Sequence, residues 1–284
     1  MTEMSDISDR VPSPFRRPVK NSWLSRVLIG AGLGLAVFAA ILTYREVITL
    51  ITAGWVVLAT LEFVGLLGKA EIKLSRWLLP VLSVTIVAAA YFNLLPAFLI
   101  VPIAVVMLAA VATSETKPRV PVYGVFALIY LAFLPAHLVQ LKNLSVSRDW
   151  SPWIVFFPLA LTWVNDTAGL VFGKLLGRHK LAPTLSPNKT VEGYAAGLVF
   201  SAILSAAWLH FLVPFATKPI WWLAVVGVGL GTMAQAGDLF ESMFKRAVAV
   251  KDTSSALGAH GGFLDRVDSL LFTIPAFYYL VLYL

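Results

Sequence analysis

Between Ser242 and Asp268 the sequence reads SMFKRAVAVKDTSSALGAHGGFLDRVD, the longest polar run in a chain that is only 13% charged. Lys245, Arg246, Lys251, Asp252, His260, Asp265, Arg266 and Asp268 fall within it, and Asp238 and Glu241 stand just before it. Cations and carboxylates interleaved around the flexible pair Gly261-Gly262 suit a site that holds phosphates. The carboxylates would grip a hard metal ion, and the Lys and Arg side chains would neutralise phosphate oxygens. Asp238 and Glu241 are three apart, as are Asp265 and Asp268, and on a helix that spacing puts each pair on one face. Carboxylates without cysteine and with little histidine favour Mg²⁺ over zinc. The plainer alternative makes these acids helix-surface partners of Lys245 and Arg266. An exposed Glu241–Lys245 pair at i,i+4 would contribute only about 0.3–0.5 kcal/mol.

A second informative stretch, WVNDTAGLVFGKLLGRHKLAPTLSPNKTVEGY, ends one apolar run and opens the next. Asp166 lies near the end of the first run, where an ionisable side chain is costly unless it faces a bundle interior or a wet cavity. It either pairs structurally or lines a site. Further on, Ser186, Lys189, Thr190 and Glu192 stand at the mouth of the following helix. Hydroxyls, a lysine and unpaired helix amides at such a mouth make an anion site, although a plain basic loop would look similar.

Both stretches resemble the phosphatidate cytidylyltransferases, also called CDP-diacylglycerol synthases. The likeness rests on the spacing from Ser242 through Lys245-Arg246, Lys251-Asp252, His260-Gly261-Gly262 and Asp265-Arg266-x-Asp268, and on Asp166 followed by Ser186-Pro187-x-Lys189-Thr190-x-Glu192-Gly193. It covers residues 160–284, with the earlier helices alike only in hydropathy. Two positions depart from the family pattern: Asn188 stands where a lysine is common, and Gly258-Ala259 precede His260 where Pro-Gly is usual. The resemblance implies that CTP and phosphatidate react to CDP-diacylglycerol and pyrophosphate, with Mg²⁺ and a possible second, monovalent cation. It assigns metal binding to Asp238, Asp265 and Asp268, and catalysis to Asp238, Asp265, Lys245 and Arg266. Substrate and phosphate contacts would come from Asp166, Ser186, Lys189, Thr190, Glu192, Arg246, Lys251, Asp252, His260, Gly261 and Gly262. Family members also suggest a homodimer.

Residues so placed need a scaffold, and composition dictates which kind. With 59% hydrophobic residues and a mean hydropathy of +0.83, the 284-residue chain has too little polar surface for a water-soluble domain and reads as an all-α polytopic membrane protein. Residues 1–23 read as a disordered cytoplasmic tail and 24–284 as a single integral membrane domain, its catalytic half at 160–284. Nine apolar runs are long enough to span a bilayer: 24–43, 47–68, 75–91, 94–113, 121–141, 151–172, 191–213, 219–237 and 268–284. An N-terminus in the cytoplasm puts 18 of the 22 Lys and Arg inside and leaves Arg45, Lys142, Arg148 and Lys218 outside, in line with the positive-inside rule. Both polar stretches then face the cytoplasm, the C-terminus lies on the opposite side, and a bacterial chain would sit in the inner or plasma membrane.

Other function classes find less support. The net charge of +7 is scattered over short loops instead of forming a stripe, so nucleic acid is not an expected partner. No G-x-x-x-x-G-K-[ST] loop and no G-x-S-x-G elbow occurs. Gly227, Gly229 and Gly231, like Gly30, Gly32 and Gly34, read as close helix packing. Glu62, His137 and His210 lie in or near spans with no motif partner, and structural roles are expected of them. Two rivals to nucleotidyl transfer remain: a CTP-dependent polyprenol or phytol kinase, and a transporter of anionic solutes that needs no divalent metal.

Overall fold

The computed structural model describes residues 44–113, 115–248, 250, 253–254 and 262–284. The expected tail and first span, 1–43, lie outside the described residues, as do Lys251, Asp252, His260 and Gly261. Eight helices follow one another: α1 Arg45–Gly68, α2 Leu78–Tyr91, α3 Leu95–Ala112, α4 Arg119–Ser147, α5 Trp153–Leu176, α6 Val191–Leu209, α7 Ile220–Ala247 and α8 Asp268–Leu282. Six of them, all but α2 and α8, are long and apolar enough to cross a membrane, which marks the chain as an integral membrane protein. The other eight expected runs each coincide with one helix.

Local sequence explains the breaks. The α2–α3 junction falls at Asn93, whose φ of 60° lies in the left-handed region that asparagine tolerates. Asn143 of α4 then donates to the carbonyls of Ala90 and Tyr91 at 3.0 and 3.1 Å, satisfying the last turn of α2. Within α4, Leu128–Phe133 widens into a π-turn just before Pro135, a residue with no N–H to offer the regular ladder.

One element departs from the all-helical expectation. Lys180–Ala182 and Ser186–Thr190 pair as a short antiparallel hairpin, β1–β2, between α5 and α6. Eight residues of the second informative stretch, between its two helical ends, are therefore extended instead of a loop. It runs directly into α6, whose N-cap is Thr190.

Helices α5, α6, α7 and α8 pack in sequence order, and α8 also meets α4 and α5; α1 packs on α2 and α4. One hydrophobic cluster runs through all of them, from Ile48 to Val281. Large side chains such as Leu108, Val111, Trp221 and Val225 remain exposed on the outside, as lipid-facing positions require. Where α6 and α7 cross, small residues let the backbones approach. A Cβ on Gly227 would come within 2.8 Å of the Ala202 Cα, and one on Gly231 within 2.8 Å of Ser201 Oγ. Gly229 has open space around it, so the packing expected of all three glycines holds at two.

This contrast is testable. Gly227→Ala should destabilise the detergent-solubilised protein by about 1–3 kcal/mol through overpacking. Gly229→Ala should be neutral or stabilise it by up to about 1 kcal/mol through helix propensity. Thermal unfolding midpoints of the two variants would check the order.

Candidate functional site

The two polar stretches meet at one cavity of about 800 Å³, walled by α5, the hairpin, α6, α7 and the start of α8. From α5 come Asp166 and Lys174; the hairpin gives Ser186, Asn188, Lys189 and Thr190, and α6 gives Tyr194. α7 contributes Gln235, Asp238, Ser242, Lys245 and Arg246, and the last segment Asp265, Arg266 and Asp268. Residues about 100 positions apart in sequence are thus brought to one concavity, lined by cations and carboxylates together.

Two ion-pair systems set its geometry. Lys245 Nζ lies 2.9 Å from Glu241 Oε2 and 2.7 Å from Asp265 Oδ1. The i,i+4 pair expected as a surface feature is buried, since Glu241 is 1% and Lys245 8% exposed. Asp265 Oδ2 accepts three further hydrogen bonds of 2.9 Å, from the Thr253 N–H, the Thr253 hydroxyl and the Gly262 N–H. Burial by itself would raise the Asp265 pKa, but Lys245 and these amides hold it below the ordinary carboxylate value.

Across the cavity, Lys189 Nζ pairs with Asp238 Oδ2 at 2.6 Å and donates to Gln235 Oε1 at 3.0 Å. Gln235 Nε2 donates to Asn165 Oδ1 at 2.6 Å, and Asn165 Nδ2 donates to Ser201 Oγ at 2.9 Å. This chain runs from the cavity into the interior of the bundle, where each group is satisfied by the next. Arg246 is fixed from the other side by donating to the carbonyls of Leu185 and Val250 at 3.0 and 3.1 Å.

An aromatic cluster packs around the stretch of α7 that carries Glu241 and Lys245. Phe126 stacks on Tyr130 at 5.2 Å between centroids, and Phe240 and Phe244 close against both rings. Phe63 and Phe272 extend the cluster towards α1 and α8. With Glu241 and Lys245 buried beside these rings, their ion pair acts in a drier surround and more strongly than at a surface.

Not every expected contact faces the cavity. Glu192 turns towards the loop before β1 and accepts from the Arg178 N–H at 3.0 Å and from His179 Nδ1 at 2.7 Å. Thr190 caps α6 by accepting the Gly193 N–H, while the Val191 N–H goes to the His179 carbonyl. The expected set of unpaired amides at this mouth is therefore partly consumed. His137 bonds the Phe133 carbonyl and the Tyr279 hydroxyl, inside the helix packing. Sequence reasoning left out Gln235, which orients Lys189; its one signal is a long amide in a strongly apolar helix.

Asp238 and Asp268 could hold a metal ion, as each lines the cavity; Lys189 pairs with Asp238 Oδ2, and Asp268 Oδ1 accepts from the Ser269 N–H while its carboxylate abuts Glu241. Asp265 has both oxygens engaged. Among the described residues no group of three His, Cys, Asp or Glu side chains is drawn close enough to hold an ion. Glu241 abuts Asp268, so its carboxylate is buried between Asp268 and the Lys245 ammonium. Two carboxylates in contact are unfavourable unless a proton or a cation is shared between them.

Removing the central cation should be costly. Lys245→Met would leave Glu241 and Asp265 with uncompensated buried charge and should lower stability by about 3–5 kcal/mol. Arg246→Met, at a more exposed position, should cost about 1 kcal/mol or less. Chemical unfolding of the two purified variants checks the difference.

The sequence profile of the cytidylyltransferase family matches residues 24–284. Over 150 residues the chain is 39% identical to a phosphatidate cytidylyltransferase of Staphylococcus saprophyticus, 53% of this chain and 56% of that one. A phosphatidate cytidylyltransferase of Staphylococcus haemolyticus is 45% identical over 121 residues, 43% of this chain and 46% of its own length. That of Bacillus subtilis is 37% identical over 155 residues, 55% of this chain and 56% of its own. The matched part thus spans about half the length of these curated relatives. Because the family profile extends over nearly all of the sequence, from the first expected span to the last residue, the chain belongs to the cytidylyltransferase family.

Proposed function

We propose that this protein transfers the cytidylyl group of CTP to phosphatidate, releasing pyrophosphate and leaving CDP-diacylglycerol in the membrane. The observation that carries the reading is the single cavity in which Lys189, Lys245, Arg246 and Arg266 face Asp166, Asp238 and Asp268 at the end of an apolar helix bundle. The names of the staphylococcal and Bacillus relatives supply the substrates.

In the proposed reaction a phosphate oxygen of phosphatidate attacks the α-phosphorus of CTP in line. A new P–O bond forms as the bond to the β-phosphate oxygen breaks, and that oxygen leaves with pyrophosphate. A phosphate monoester has its second pKa near 6, so the nucleophile is already charged and needs no strong general base. Catalysis is then alignment and charge neutralisation. Lys189, Arg246 and Arg266 gather phosphate oxygens, and Lys245 holds Asp265 beside them. Lys251, Asp252, His260 and Gly261 belong to the same proposed site by the family motif, with Ser186 positioning substrate from the hairpin.

Mg²⁺ fits this donor set: it takes one or two carboxylates and completes its shell with phosphate oxygens and water, so a cage of three acids is not required. Asp238 and Asp268 would hold it, with Asp265 joining them only by releasing a present partner. Bound there, the ion would neutralise charge on the triphosphate. The lipid head group would reach the cavity past Asp166, with tails lying along Leu170, which both lines the cavity and is 59% exposed.

The same reading includes nine crossings of one integral domain, 24–284, with the N-terminus and cavity on the cytoplasmic side, in a homodimer. The distribution of Lys and Arg over the loops supports that orientation.

Purified protein given phosphatidate, Mg²⁺ and CTP labelled at the α- or γ-phosphate should place α-label in lipid and γ-label in pyrophosphate. γ-Label entering an added lipid alcohol would replace this reading with a kinase, and immobility of both labels would leave transport. Lys189→Met should lower kcat by about 10²–10³-fold, the usual loss for one electrostatic stabiliser.

A further inference from the structure

Glu62 lies on α1, outside the cavity wall, in a helix otherwise poor in charge. Its carboxylate is fully used. Oε1 accepts from Ser254 Oγ at 2.6 Å and from the Phe263 N–H at 2.8 Å. Oε2 accepts from the Leu264 N–H at 2.8 Å and lies 3.3 Å from Thr253 Oγ1. One side chain from the N-terminal half therefore gathers the two flanks of the 255–261 stretch, Thr253–Ser254 before it and Gly262–Leu264 after it.

Asp265 grips the same flanks from the opposite direction through the Thr253 and Gly262 bonds described above. Between the carboxylates there is no room for a side chain at 262. A Cβ there would lie 2.8 Å from Glu62 Oε2 and 3.0 Å from Asp265 Oδ2. Phe263 adds an edge-on contact with Trp55, 6.4 Å between ring centroids and two helical turns before Glu62 on the same face of α1.

We propose that Glu62 is a positioning residue: it docks Thr253–Ser254 and Gly262–Leu264 on α1 and so fixes Asp265, and with it the Lys245 ammonium, at the cavity wall. The charge matters because the Phe263 and Leu264 N–H groups point at different oxygens and cannot reverse. A glutamine would turn its NH₂ towards one of these two donors whichever way the amide lay, whereas the hydroxyls of Thr253 and Ser254 could rotate to adapt. The kinetic consequence rests on cytidylyl transfer as the activity; the docking itself does not.

The test compares the full-length protein in detergent with Glu62→Gln, with Thr253→Val, which removes the shared hydroxyl and keeps both carboxylates, and with Glu71→Gln as an exposed charge control. Backbone hydrogen exchange should show the amides of Phe263 and Leu264 exchanging at least about tenfold faster in Glu62→Gln, with α5 and α6 unchanged. In the same variant kcat should fall at least about tenfold while KM for CTP stays within about threefold. Thr253→Val should shift both readings in the same direction by less, and Ser254→Ala, which removes a donor to Glu62 Oε1, decides the matter by the same two readings should Glu62→Gln fail to fold. Glu71→Gln should match wild type. Unchanged exchange at Phe263 and Leu264 would overturn the docking, and faster exchange with wild-type turnover would overturn the positioning role. Wild-type protein that moves no label would remove the cytidylyl-transfer reading, and the exchange comparison would still decide the clamp.

Discussion

The ammonium of Lys245 sits between Glu241 and Asp265, and most of the site follows from that arrangement. Taking three charged groups out of water costs several kcal/mol per ion, and only good geometry with further hydrogen bonds offsets it. Asp265 meets that condition with one cation and three donors, all within 2.9 Å. Because its partners lie on α7 and on both flanks of the 255–261 stretch, satisfying this carboxylate fixes where the chain enters α8. Asp268 begins that helix three residues later and is thereby delivered to the cavity beside Asp238. The pairing therefore acts less as a contributor of stability than as the constraint that sets where the other charges can be.

A second arm does the same from the hairpin side. Lys189 is held by Asp238 and Gln235, and Gln235 is held in turn by Asn165 and Ser201. Gln235, Asn165 and Ser201 are buried between helices, where an unmatched amide would cost about 1–3 kcal/mol, so the amides stay in one orientation and the lysine with them. The close approach of α6 and α7 at Gly227 and Gly231 brings Ser201 within reach. Apolar packing in the bundle and the position of a cavity cation are thus the same fact seen at two depths.

How much of this the sequence discloses depends on the range of the interaction. Apolar runs and their breaks are local, so all eight described helices fall where hydropathy puts them, and the charged residues that line the cavity come from, or just before, the two polar stretches that type and spacing single out. The hairpin escapes that reading because Ser186–Thr190 holds Pro, Asn and Lys where a strand pattern would show alternating apolar residues. Glu62 escapes it for another reason. Its bonds reach 191 to 202 positions along the chain, and no local pattern pairs a glutamate in an early helix with backbone amides in the last loop. What the sequence does show is a carboxylate where burial is costly, which calls for a partner without naming it. Glu192 is the converse case: it sits in a motif that suggests substrate contact, yet it accepts from Arg178 and His179.

On the proposed reaction, the layout answers a conflict of solvation. A phosphatidate head group and a triphosphate bring several negative charges that need cations, whereas the acyl chains of the lipid need a surface without them. A wall of carboxylates and cations on α7 and the last segment, facing α5 with Asp166 and the exposed Leu170, meets both needs along one short path. The aromatic cluster of Phe126, Tyr130, Phe240 and Phe244 packs against the helix that carries Glu241 and Lys245, where a drier surround makes each fixed charge act more strongly and makes leaving one unpaired more costly. On the inference drawn for Glu62 the N-terminal helices take part too, although among the described residues none of theirs lines the cavity. Phe63 and Phe126 belong to the aromatic cluster and Glu62 to the proposed clamp, so on that inference the helices before α5 hold the last segment in register.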